Sequence, residues 1–442
     1  MALRKTTAAL TLGASRTARG ASAEPFGSDD FEGAVYVMTN DLTRNEVVAY
    51  GRDENGLLTF LGDFPTGGRG STDFDGPEGL DPLISAYAVE LSDDRRFLFT
   101  VNAGSNTISS FFIRDDLTLS LRGVVKAPGV GPNSIAYRDG VIVVSAIDAD
   151  GVFAGEPDQE GAIQSYKVAP FGALIPLPRS RRVLENRPSS VRFSPDGRFL
   201  VVSSINAGSS ALVSGSNDEL VVYGVDRFGF PTDEALSAAT STEVNNVEGR
   251  NLPSAIGIEV VEDDGRQFVV ATEAREFQPN GLPPAFPELQ AGSASTWELS
   301  DDGGLSPISL DVVSTDGYGF VDGERTVCWI AYEAAGEEYW TSNPLDSSIS
   351  SYAFNEGVIE LINSTEAQGN EVTSPDPAIA FGEESDGFLD IDTSDDGEYL
   401  YVLAGLRGEV YVYETEDDGG LSLIQIVGGD LPEVDTQGIA AF

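Results

Sequence analysis

Seven stretches of the chain are dense in branched and aromatic residues: "AVYVMTN" from Ala34, "RFLFTVN" from Arg96, "VIVVSAI" from Val141, "RFLVVSS" from Arg198, "RQFVVAT" from Arg266, "EEYWTSN" from Glu337 and "EYLYVLA" from Glu398. They recur 45 to 71 residues apart. In the clearest copies a polar turn, P-D-G or D-D-G, precedes the run, and an alternating segment such as "SSVRFS" (Ser189–Ser194) precedes the turn. A second alternating run follows each one: "NEVVAYG", "TISSFFI", "AIQSYKV", "ELVVYGV", "SASTWEL", "SISSYAF" and "EVYVYET". Most units end with a glycine turn and a fourth short segment, as in "DENGLLTFLGDF". Period-two alternation punctuated by Asp-Gly predicts antiparallel hairpins, and no long segment carries the helical period. Four strands in each of seven units predict an all-β fold, a seven-bladed β-propeller. The first unit starts at its second strand, while the chain finishes on an orphan strand, "GIAAF" (Gly438–Phe442). That orphan is predicted to supply the missing inner strand and close the ring, which leaves no open edge.

Composition changes this picture in three ways. The 442 residues are 41% hydrophobic, enough for a core without disulfide or metal staples. The formal charge is -46, from 72 acids against 26 bases, and Lys5, Lys126 and Lys167 are the only lysines. Such a field repels polyanions, so nucleic acid is excluded as a partner and anionic membrane surfaces are disfavoured. Acidity with scarce lysine also fits a halophilic protein. Histidine is absent, which removes the Ser-His-Asp triad, the Cys-His pair and the histidine metal site. A carboxylate site for a divalent cation, calcium or magnesium, stays open as the possible cofactor. The single cysteine, Cys328, reads as a small buried apolar residue.

Residues 1–32 read as a leader or tail outside the propeller, which occupies 33–442. A basic start, a short apolar run and Ala21-Ser22-Ala23 form a weak secretory signal with cleavage near Ala23, against the alternative of an uncleaved cytoplasmic protein. No stretch reaches the ~18 apolar residues of a membrane span. A monomer is expected.

The chain resembles the lactonase-type seven-bladed propellers, the group of propeller 6-phosphogluconolactonases and carboxymuconate-cyclase-like proteins with WD40/YVTN-like repeats. The resemblance spans Gly33 to Phe442. It rests on "SPDGRFLVV", "NAGSNTISSF" (Asn102–Phe111), "GGRGS…LDPL" (Gly67–Leu83) and "CWIAY…TSNPLDSSISSYAF" (Cys328–Phe354). It implies hydrolysis of a small sugar or carboxylated lactone in the central channel. Phosphogluconolactonase-like members tend to carry histidine where inner strands begin; here those positions read "PNSIAY", "PSSVRF", "VCWIAY" and "FLDIDT".

The starts of the inner strands converge on one end of the channel, the default ligand site. Register on the turn places Asn133, Ser189, Trp329 and Asp390 in one ring, with Gln437 at the seam. Asp390 is the candidate catalytic base or cation ligand. Arg69, beside Ser71 in a glycine-rich loop, either receives a substrate carboxylate or pairs with Asp81 to brace that loop. Asn133, Ser189, Trp329 and Gln437 complete the substrate-binding candidates. With an ordinary carboxylate as base, activity should persist well below pH 6. The alternative is a non-catalytic propeller that binds a small molecule, glycan or protein at the channel mouth.

Overall fold

The computed structural model describes residues 31–71, 81–150, 160–205, 218–240, 245, 247, 252–277, 291–314, 327–333, 338–344, 347–369, 386–416 and 420–442. The leader and its cleavage site near Ala23 lie outside them. Seven antiparallel sheets form the ring, six of four strands and one whose outer edge is split into two short strands, Leu174–Pro176 and Arg182–Leu184. Each of the seven apolar runs is the second strand of a blade, and each following run is the third. Second strands such as Gly33–Met38, Phe97–Asn102 and Tyr399–Ala404 are buried along their whole length. Both faces of such a strand pack against neighbouring blades, which is why they read as continuous apolar runs rather than alternating ones.

Inner strands surround the channel: Val89–Leu91, Val130–Arg138, Arg187–Phe193, Leu252–Asp263, Trp329–Glu333, Phe388–Thr393 and Ile439–Ala441. The last comes from the C-terminus and pairs with Gly33–Met38 in the register Val35–Ala441, Tyr36–Ala440, Val37–Ile439. The ring therefore closes as its orphan strand predicts. Among the described residues helix is confined to short turns such as the 3-10 turn Ala103–Ser105, and none is long and apolar enough to cross a membrane.

The recurring turn has a side-chain mechanism. Ser194 Oγ donates to Asp196 Oδ1 at 2.7 Å and accepts the Phe199 amide at 3.0 Å. Gly197 sits at φ +71°, the left-handed region glycine enters without steric cost. Ser92 with Asp94 and Ser394 with Asp396 repeat this wiring. The acidic pairs Asp93-Asp94, Asp263-Asp264, Asp301-Asp302 and Asp395-Asp396 all fall at such hairpins. Among the described residues, no three acidic, cysteine or histidine side chains are grouped to hold a metal ion.

Candidate functional site in the channel

The channel has two different ends. Where inner strands begin, it is filled by the protein itself. Leu83, Ser85, Ala86 and Ala88 are buried there, and Ser85 is a hub between blades. Its carbonyl accepts Trp329 Nε1 at 2.9 Å and Gln437 Nε2 at 2.7 Å, while its hydroxyl donates to the Asn133 carbonyl at 2.8 Å. Asn133 Nδ2 donates onward to the Pro188 carbonyl at 2.8 Å, and Ser189 Oγ to the Ala255 carbonyl at 2.6 Å. The strand starts do converge, but on one another. Ile84 and Tyr87 hold positive φ, +49° and +66°. That conformation costs of order 1–3 kcal/mol in a branched or bulky residue, so the surrounding contacts must enforce this crossing of the channel.

Beneath the plug the channel opens into a cavity of about 420 Å³ toward the turns that follow the inner strands. Blade two supplies Tyr87, Glu90 and Arg95; blade four, Arg192; blade six, Trp329, Tyr332 and Glu333; blade seven, Asp390, Asp392 and the turn Ser394–Gly397. Arg192 organises its wall. Its guanidinium lies 3.1 Å from the centre of the Tyr87 ring, with Nη1 2.7 Å from Glu90 Oε2 and Nε 3.5 Å from Glu259 Oε1. Tyr87 completes the cluster by donating to Glu259 Oε1 at 2.8 Å. Burial alone would lower the Arg192 value, but Glu90 and Glu259 outweigh it and keep the group charged. Glu90 is pushed up, chiefly by burial, with Arg192 opposing.

Asp390 and Asp392 stand two apart on one strand, so both side chains face the channel. Asp390 Oδ2 accepts the Gly438 amide at 3.1 Å, and Asp392 Oδ2 the Ala441 amide at 2.8 Å. Burial pushes both carboxyls up to about 7, with backbone donors only partly opposing it. Asp390 is buried at 3% exposure, whereas Asp392 is half-buried on the open side. An ordinary carboxylate base would work well below pH 6; burial instead moves the loss of charge here to near neutrality.

Of the sequence-derived candidates, Asp390 and Trp329 line this cavity. Asn133, Ser189 and Gln437 serve the contacts between blades described above. Arg69 is exposed, its guanidinium donating to the Gly104 carbonyl at 3.2 Å, and Ser71 is buried against Asn40. Sequence reasoning missed Tyr87, Glu90, Arg192, Glu259 and Asp392. A signal existed for three of them: Glu90, Arg192 and Asp392 each stand two residues before the turn serine, Ser92, Ser194 or Ser394. That shared register puts three charges at one level of the channel.

No protein-family profile matches the chain, and no curated protein does. Among solved structures, it is similar to a candidate 6-phosphogluconolactonase from Bacteroides fragilis NCTC 9343, with 18% identity, a TM-score of 0.58, and coverage of 95% of this chain and 100% of that one. A protein from Lactobacillus plantarum matches at 16% identity and TM-score 0.59, covering 93% and 99%. The periplasmic gluconolactonase of Pseudomonas aeruginosa matches at 16% identity and TM-score 0.57, covering 92% and 99%. The chain is thus a seven-bladed β-propeller whose fold is similar to that of lactonase-like propellers.

Proposed function

We propose that this propeller opens a small lactone by hydrolysis in the channel cavity. The observation that carries the reading is the Asp390–Asp392 pair: two carboxyls facing a cavity of molecular size, both held near neutrality by burial. A general base works best with a value near the operating pH. Asp392, on the open side, takes a proton from water as the water oxygen attacks the lactone carbonyl. The carbonyl oxygen becomes negative as the water adds. Asp392 loses its charge as that oxygen gains one, so the net charge of the cavity is unchanged during attack. The acyl C–O bond then breaks, and the proton held by Asp392 passes to the departing ring oxygen. Asp390 stands at the inner end of the cavity, where burial first and the like charge of Asp392 after it raise its own value. Fold similarity to a gluconolactonase supports the reaction class by analogy.

A binding propeller is the second reading. It is favoured by the Gly438 and Ala441 contacts, which give both carboxyls a structural task in holding the closing strand. Ring opening across a panel of lactones, followed by base uptake at constant pH with and without added calcium, separates the two. Catalysed opening of at least one lactone is expected; none under any condition leaves the binding reading.

A further inference from the structure

The charges lining the cavity are unequal. Two arginines face it, Arg95 and Arg192, against six acids: Glu90, Glu333, Asp390, Asp392, Asp395 and Asp396. Both arginines are already committed. Arg192 serves Glu90 and Glu259, and Arg95 pairs with Asp395 across the cavity mouth. Arg95 occupies the turn position that glycine holds in the equivalent Ser194 and Ser394 turns, at φ +55°. An L-residue there costs roughly 1–2 kcal/mol, yet it carries a cation to this edge. Arg69, the cation expected from sequence to meet a substrate anion, does not line the cavity. The wall also holds the rings of Tyr87, Trp329 and Tyr332, and carboxylates are acceptors for hydroxyl groups. Apolar ring carbon beside acceptor carboxylates suits a polyhydroxylated ring without charge.

We infer that the cavity takes an uncharged polyhydroxy lactone, rejects phosphorylated or carboxylated analogues, and expels its own product by charge. This rests on the lactonase reading. Hydrolysis consumes one water, breaks the acyl C–O bond, and leaves a hydroxyl and a carboxylate with release of one proton. The neutral substrate thereby becomes an anion inside a cavity of the same sign. Repulsion in a low-dielectric site is far stronger than in water, so the ring-opened acid binds weakly and leaves readily.

The test is calorimetric titration of the full chain at low and at molar salt with three probes: a six-carbon aldonolactam, which is neutral and resists hydrolysis, the matching aldonate, and its 6-phosphate. The lactam should bind at least about tenfold more tightly than either anion at low salt, with the gap closing as salt screens the repulsion. Asp395→Asn frees Arg95 at the mouth and should tighten both anions, narrowing their gap to the lactam. An anion that binds as tightly as the lactam, or a lactam that does not bind, overturns the inference. Ring-opening assays on the same samples keep the two ideas apart. Selective lactam binding without turnover removes the hydrolase and keeps the charge selection. Turnover that favours a phosphorylated lactone does the reverse.

Discussion

At the residue scale, the site depends on burial changing ordinary carboxyls. Asp390 and Asp392 belong to a strand, "FLDIDT", whose alternation alone says only that they share a face. Their values come from the depth of that face, which no local pattern reports. The consequence is a pH profile. A base must be ionised to work, and the ionised fraction of Asp392 grows as pH rises through about 7. The lactone-opening kcat/KM should therefore climb between pH 5.5 and 8 by more than about tenfold and then level off. A flat profile over that range would mean that neither carboxyl is the base. Arg275 shows the structural use of buried charge. It is fully buried in blade five, with Glu273 at 3.1 Å and Asp311 at 2.9 Å. Arg275→Met leaves two buried carboxylates without their cation and should cost about 3–5 kcal/mol of stability. Denaturant unfolding would reveal it; a loss below about 1 kcal/mol would contradict this account.

At the element scale, nearly everything about the blades was legible, because each hairpin declares itself locally. Alternation marks the inner strands, unbroken apolar runs mark strands buried on both faces, and Ser-x-Asp-Gly marks the turn between them. The closing strand was also legible, by subtraction: one blade lacked its first strand and one strand lacked a blade. The plug was not. Residues 81–88 cross the channel through hydrogen bonds to blades one, three, five and six, and such contacts depend on which starts meet in space. Placing the site at the strand starts assumed an open mouth, and Ser85 and Tyr87 occupy it. Closure gives the prediction for this scale. Deleting Gly438–Phe442 removes the strand paired with Gly33–Met38, the burial of Ile439, and the donors to Asp390 and Asp392. Thermal unfolding should shift down by an amount matching about 3–5 kcal/mol. An unchanged Tm would show that the ring does not depend on this strand.

At the scale of the whole molecule, charge dominates. A net charge of -46 repels itself in the compact state, so stability should rise with ionic strength from the physiological range to molar salt. A flat or falling Tm would contradict this. The buried pair adds a pH term whose sign is fixed. Asp390 and Asp392 hold protons to about 7 in the folded chain against an ordinary 3.8. Between those values the folded state binds more protons than the unfolded one. The stability they contribute is complete below about pH 4 and is lost as pH rises through 7. Acidifying from pH 8 to pH 5 should raise Tm, and Asp390→Asn should flatten that dependence.

The central claim places chemistry in the cavity beneath the plug, with Asp392 as its base. The measurement that tests it most directly is the lactone-opening kcat/KM of Asp392→Asn beside the unaltered protein, with Tm recorded for both. The account predicts a fall of at least about a hundredfold, with folding retained because the amide oxygen still accepts the Ala441 amide. Turnover undiminished in the folded variant would contradict it.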